Sequence, residues 1–150
     1  MNYKYYIKKL TSNELGYRKG KLSTGQMFYI SKQAADFFPP LSKLINNDST
    51  DLVFEVDYRK DPIFLSLVYH NDKHNRVDGT RDEYRIYLNR DIAPDDFFFR
   101  PDDIIVMQRI AENRYKISRY RKENKGYENL NEIMENSKMR GKHALENKLD

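Results

Sequence analysis

Apolar and polar residues alternate with a period of two along much of the chain up to residue 120, as strands with one buried face do. YKYYIKKL (3–10) reads as a first strand and QMFYI (26–30) as a second. Between them TSNELGYRKGKLSTG (11–25), with three glycines and several Ser, Thr and Asn, reads as a long loop. Ser31 can cap a short helix through SKQAADFF, which Pro39-Pro40 would stop. LSKLI (41–45) leaves helix and strand both open. DLVFEVD (51–57) and PIFLSLVYH (62–70) predict strands joined by a short polar turn, hence a hairpin. NDKHNRVDG (71–79) is a second polar loop and TRDEYRIYLN (80–89) a further strand. DIAPDDFFFRPDD (91–103) is a connection with room for one helical turn. IIVMQRI (104–110) and NRYKISRY (113–120) form a last hairpin. About seven strands and one or two short helices predict a mainly β, largely antiparallel domain, a barrel or a sandwich.

The texture changes at Arg121. KENKGYENLNEIMENSKMRGKHALENKLD carries no strand signal, and Leu130, Ile133 and Met134 make one narrow helical stripe. Residues 1–120 are expected to form the domain. Residues 121–150 are expected to be a C-terminal helical tail or a linker toward a domain absent here.

Composition narrows the class. At 150 residues the chain makes one ordinary domain with a real core. The absence of cysteine excludes a disulfide framework and thiolate chemistry, and suits a reducing cytoplasm. No run resembles a signal peptide or reaches the ~20 apolar residues of a membrane span, so no membrane partner is expected. The net charge is +4, and it is unevenly placed. Residues 1–25 hold six Lys/Arg against one acid, whereas residues 26–69 hold four against six and 91–120 five against six. The excess therefore sits in the first segment, with a smaller one at 70–90 and in the tail, and a polyanionic partner would feel that patch.

The strand after Gly79 has its own chemistry. Arg81, Glu83 and Arg85 share one face, and Tyr84, Ile86 and Leu88 the other. A guanidinium fork matches guanine O6 and N7, and a carboxylate can accept from cytosine N4. Arg-x-Glu-x-Arg therefore suits a reader of G/C-rich duplex. The same pattern also suits an exposed face whose charges pair with each other.

Three segments, YYIKKLTSNELG (5–16), MFYISKQAADFFP (27–39) and GTRDEYRI (79–86), together resemble the N-terminal effector domain of EcoRII-type restriction endonucleases. The resemblance covers roughly residues 3–120 in matching order. It implies a B-three-like fold: a seven-stranded open pseudobarrel with two loop arms that grip the major groove of DNA. The N-arm would be Lys9 to Gly25 and the C-arm Asn71 to Arg85. Base-reading residues would be Arg81, Asp82, Glu83 and Arg85 on the C-arm, with Asn13 and Tyr17 on the N-arm. Backbone contacts would come from Lys8, Lys9, Arg18, Lys19, Lys21 and Ser23, and from Lys73, Arg76 and Thr80. Gly79 and Tyr84 stand where the family carries lysines, and Thr24 near an expected histidine.

The resemblance further implies a short duplex site such as CCWGG, a domain without catalysis of its own, and a nuclease domain following in the same chain. Met1, two residues before the first match, agrees with that order. No cofactor is expected here, and Mg²⁺ only for the nuclease domain. The isolated domain is expected to be a monomer in a prokaryotic cytoplasm.

Other motifs are weaker. Pro101-Asp102 with Glu123-Asn124-Lys125 fits the bare PD…(D/E)xK pattern of a Mg²⁺-dependent nuclease, but Glu146-Asn147-Lys148 fits equally well. A nuclease and a barrel module for RNA or protein are the alternatives. His70, Asp72 and His74 have the residue types of a metal or HNH-like site without its ligand spacing. Met27, Phe28, Phe37, Phe38 and Phe97 to Phe99 are expected in the core rather than in a stacking platform.

Overall fold

The computed structural model describes residues 3–18, 21–22, 26–71, 82–95, 97–139 and 141–149. Among the described residues ten strands form: β1 (Tyr5–Lys9), β2 (Tyr17–Arg18), β3 (Lys21–Leu22), β4 (Met27–Ile30), β5 (Ser49–Glu55), β6 (Ile63–His70), β7 (Glu83–Tyr87), β8 (Ile104–Ala111), β9 (Arg114–Tyr120) and β10 (His143–Glu146). A 3-10 helix spans Lys32–Phe37 and one α-helix, α1, spans Tyr127–Glu135. Eight strands make one curled open sheet in the order β10-β1-β8-β9-β5-β6-β7-β4, and β2 and β3 pair separately. Every neighbouring pair in the sheet is antiparallel except β5 with β9. The fold is the mainly β half-barrel expected, with eight strands in its sheet rather than seven.

Alternation decides which face goes inward. In β6 the residues Ile63, Leu65, Leu67 and Tyr69 are buried, with partly or fully exposed residues between them. They join Phe28, Ile30, Leu52, Phe54, Ile86, Met107, Tyr115 and Ile117 in the main core. Ser31 does cap the short helix, accepting from Gln33 N–H at 3.2 Å, and its last turn drives Phe37 into that core beside Phe38. Phe97, expected in the core, is exposed instead, while Phe99 is buried. LSKLI forms neither helix nor strand, and Leu44 stands in solvent.

The C-terminal segment folds onto the sheet. α1 places Tyr127, Leu130 and Met134 against Ile7, Ile104 and Val106, the outward residues of β1 and β8. β10 then pairs with β1, with Ile7 opposite Ala144. HALE is thus an eighth strand where the sequence showed no strand signal, because four residues flanked by polar ones leave no period to count.

Candidate nucleic-acid interface

Topology sets where the two arms emerge. β4 and β7 are antiparallel neighbours at one edge of the sheet. The segment between β1 and β4 leaves from one end of this pair, and the segment between β6 and β7 from the other. The expected N-arm and C-arm therefore flank a single two-stranded platform. Five residues of β7 at ~3.3 Å each make it about 17 Å long, against a major groove ≈ 12 Å wide.

The platform's outer face carries Tyr29 of β4, Glu83, Arg85 and Tyr87 of β7, and His70 of β6. Tyr29 lies opposite Arg85, and His70 opposite Glu83. Arg85 donates to Glu83, and its guanidinium carbon sits 5.2 Å from the Tyr29 ring centroid, within cation–π range. Tyr87 Oη lies 2.5 Å from His70 Nε2. Burial works against the Arg85 charge, but the acceptors on Glu83 and Tyr87 outweigh it and hold its pKa above the ordinary arginine value. Arg85 Nε finds no acceptor among the described residues. That Nε is buried, and the guanidinium is held in place by Glu83 and the Tyr29 ring.

The N-arm begins on a capped turn. Glu14 Oε1 accepts from Thr11 N–H at 2.7 Å, and Thr11 Oγ1 accepts from Glu14 N–H at 3.3 Å, the reciprocal pattern of a capping box. Gly16, at φ 75°, ends the turn in the left-handed region that glycine enters without strain. β2 and β3 follow as a small hairpin, Tyr17 opposite Leu22 and Arg18 opposite Lys21. The loop expected over residues 11–25 is therefore partly structured.

The C-arm returns to the sheet at Asp82. Its carboxylate accepts from the Tyr69 hydroxyl and from Lys32 Nζ at 2.6 Å. Burial and then the Asp82 bond push the Tyr69 phenol up to about 12.

The expected contact residues separate into groups. Glu83 and Arg85 share the platform face. Asp82 is turned toward Tyr69 and Lys32. Asn13 is exposed on the capped turn. Tyr17, Arg18 and Lys21 belong to the β2–β3 hairpin. Lys19, Ser23, Lys73, Arg76, Thr80 and Arg81 lie outside the described residues. The two lysines of β1 face the protein rather than solvent. Lys8 is only 2% exposed and bonds Glu14 and the Tyr29 carbonyl, at 2.8 Å for the carbonyl. Lys9 reaches Asn131 Oδ1 at 2.5 Å and lies over the Tyr127 ring, against α1. Lys8 points inward with Tyr6 because both hold core-facing positions of β1, and Glu14 compensates its charge there.

Sequence reasoning missed Tyr29, His70 and Tyr87 on the platform. The alternation of Phe28, Tyr29 and Ile30, and of Ile86 and Tyr87, is the signal that would have placed the tyrosines beside Arg85. Of the metal candidates, His70 bonds Tyr87, and Asp72 and His74 lie outside the described residues. Among the described residues no three His, Asp or Glu side chains converge. Of the nuclease pattern, Glu123 sits on an exposed turn before α1, and Glu146 on β10 lies opposite Tyr5. No helix among the described residues is long and apolar enough to cross a membrane.

No family model matches the chain, and no curated protein matches it. Among solved structures, it is similar to the N-terminal domain of Helicobacter pylori LlaJI.R1. That likeness has a TM-score of 0.62 and covers 95% of this chain and 96% of that one, at 18% identity. At that identity the likeness establishes a shared fold.

Proposed function

We propose that this domain recognises a short double-stranded DNA sequence through two arms, with the β4–β7 platform between them facing the major groove. The observation that carries the reading is a two-stranded platform with a fixed arginine, joined at its opposite ends by the segments that precede β4 and β7. Arg85 and Glu83 offer a donor fork and an acceptor to base edges. Arg18, Lys19 and Lys21 of the N-arm, and Lys73 and Arg76 of the C-arm, supply phosphate contacts, and Arg81 joins the base readers. The fold shared with the N-terminal domain of LlaJI.R1, from a restriction-enzyme-related protein, supports a targeting role in a restriction system.

The finer reading is an effector domain of EcoRII type, near UbaLAI, with a CCWGG-like site. In it the domain is non-catalytic, works in the prokaryotic cytoplasm, and serves a Mg²⁺-dependent nuclease domain of the same chain. A gel-shift panel of duplexes differing from CCWGG by one base pair, at fixed salt, tests it. Losses of about 1–3 kcal/mol at particular base pairs are expected. Equal affinity for every duplex, or preference for single strands or A-form RNA, would sink it.

A further inference from the structure

β4 is the last strand of the open sheet, so one side of its backbone has no neighbouring strand. Such an edge normally presents unpaired N–H and C=O groups. Here every second residue is satisfied by something else. Met27 N–H donates to the Glu14 carbonyl at 3.0 Å. Tyr29 N–H donates to Glu14 Oε2 at 2.8 Å, and the Tyr29 carbonyl accepts from Lys8 Nζ. Ser31 N–H donates to the Tyr6 hydroxyl at 3.3 Å. Lys8 and Glu14 are themselves ion-paired, and both are buried.

We propose that the Lys8–Glu14 pair is a positioning clasp, resting on the DNA-recognition reading above: it closes the seam between β1 and β4 and fixes where the N-arm stands relative to the platform. The two residues are not contacts to DNA. Glu14 lies in the capped turn just before the arm's hairpin, which starts at Tyr17. Its carboxylate reaches three groups: the start of its own turn at Thr11, the β4 edge at Tyr29, and β1 at Lys8. Tyr29 in turn faces Arg85 across β4–β7. Because both Tyr29 backbone groups point away from β7, Tyr29 and Arg85 form a non-hydrogen-bonded pair, the kind whose side chains approach most closely. One ion pair thus connects the arm's root to the residue under the platform arginine. A buried charged pair is poor insulation for a core, yet a good device for imposing one geometry.

Two variants test this. Lys8→Met removes the clasp but leaves a buried carboxylate. Lys8→Met/Glu14→Gln removes both charges and guards against simple failure to fold, which a cooperative thermal melt checks. The first readout needs no DNA. Trypsin cleavage after Arg18, Lys19 and Lys21 should be at least fivefold faster in a folded variant, with cleavage after Lys116 unchanged. The second readout is the affinity ratio between a cognate duplex and one with a single base pair changed. It should fall at least tenfold, while affinity for random duplex stays within twofold. A folded double variant whose arm is cut at the wild-type rate and which discriminates as wild type does would overturn the clasp. Wild-type protein that discriminates no duplex, with arm cleavage still accelerated in the variants, would overturn the DNA reading and leave the clasp standing.

Discussion

Glu83 is an acid on a face proposed to meet phosphate, and it already holds Arg85. Its removal separates two roles. A protein that binds by charge alone gains from losing an acid, because repulsion from phosphate falls. If Glu83 orients Arg85 or accepts from a cytosine amino group, Glu83→Ala should weaken cognate binding by about 1–3 kcal/mol while sparing random duplex. Equal tightening on both would reduce the platform to a charged surface whose members pair with one another. His143 makes a different prediction, about stability. Burial first, and the Lys8 charge second, lower its pKa to about 4. Its Nδ1 lies 2.5 Å from the Tyr6 hydroxyl, which a neutral ring can accept from and a protonated one cannot. The unfolded chain titrates near 6.5, so the unfolded state takes up the proton first as pH falls. Stability should be complete above pH 6.5 and decline between pH 6.5 and 4. Discounting for the partly exposed ring, the loss is ~2 kcal/mol. Denaturant melts of wild type and His143→Gln across that range check it, since the difference between the two curves cancels the carboxylates. A constant difference would remove His143 from the acid response.

The strands and the tail depended on different signals. β5, β6, β7 and β9 were legible because each runs five to eight residues with alternate positions buried, and β8 because its first four residues are an apolar run buried on both faces. The cap at Ser31 was legible because a hydroxyl before a short apolar block has few other uses. β10 was not, and neither was the inward turn of Lys8, since a lysine is almost never buried unless paired and its partner is six residues away in a polar loop. The stripe at Leu130, Ile133 and Met134 gave the helix but not what it packs on. That surface now makes a prediction. Leu130→Ala should cost about 2–3 kcal/mol, as truncation of a buried leucine does, measured by urea unfolding. Ending the chain after Arg121 should do more. It bares Ile7, Ile104 and Val106 and opens the β1 edge that β10 pairs, which invites association. Such a truncated protein that stayed monodisperse with an unchanged melting temperature would make α1 and β10 an accessory, as the sequence-based boundary at residue 120 implied.

Charge is arranged differently on the barrel body and along the N-arm sequence. On the body, several basic side chains have acids beside them. Arg114 meets Glu55 at 2.7 Å, Arg59 meets Asp91 at 3.1 Å, and Lys116 and Lys122 meet Asp57 and Asp102 at 3.5 Å. Lys8, one of the six basic residues of the first segment, is neutralised inside by Glu14. Residues 15–25 contain Arg18, Lys19 and Lys21 and no acid at all. A paired surface charge adds little net field, because its acid attracts the same counterions that DNA would release. A basic side chain that meets phosphate releases condensed counterions, each contact steepening the salt dependence of binding by about 0.9 in log–log slope. Lys19→Ala and Lys21→Ala should therefore each flatten that slope by roughly one, and weaken cognate and random duplex by the same factor. Lys116→Ala, on the body, should leave the slope alone. Titrations of the three variants from 50 to 200 mM salt on both duplexes give the comparison. A slope that moved as much for Lys116 as for Lys19 would mean that duplex settles on the barrel wall and that the arms do not set the docking face.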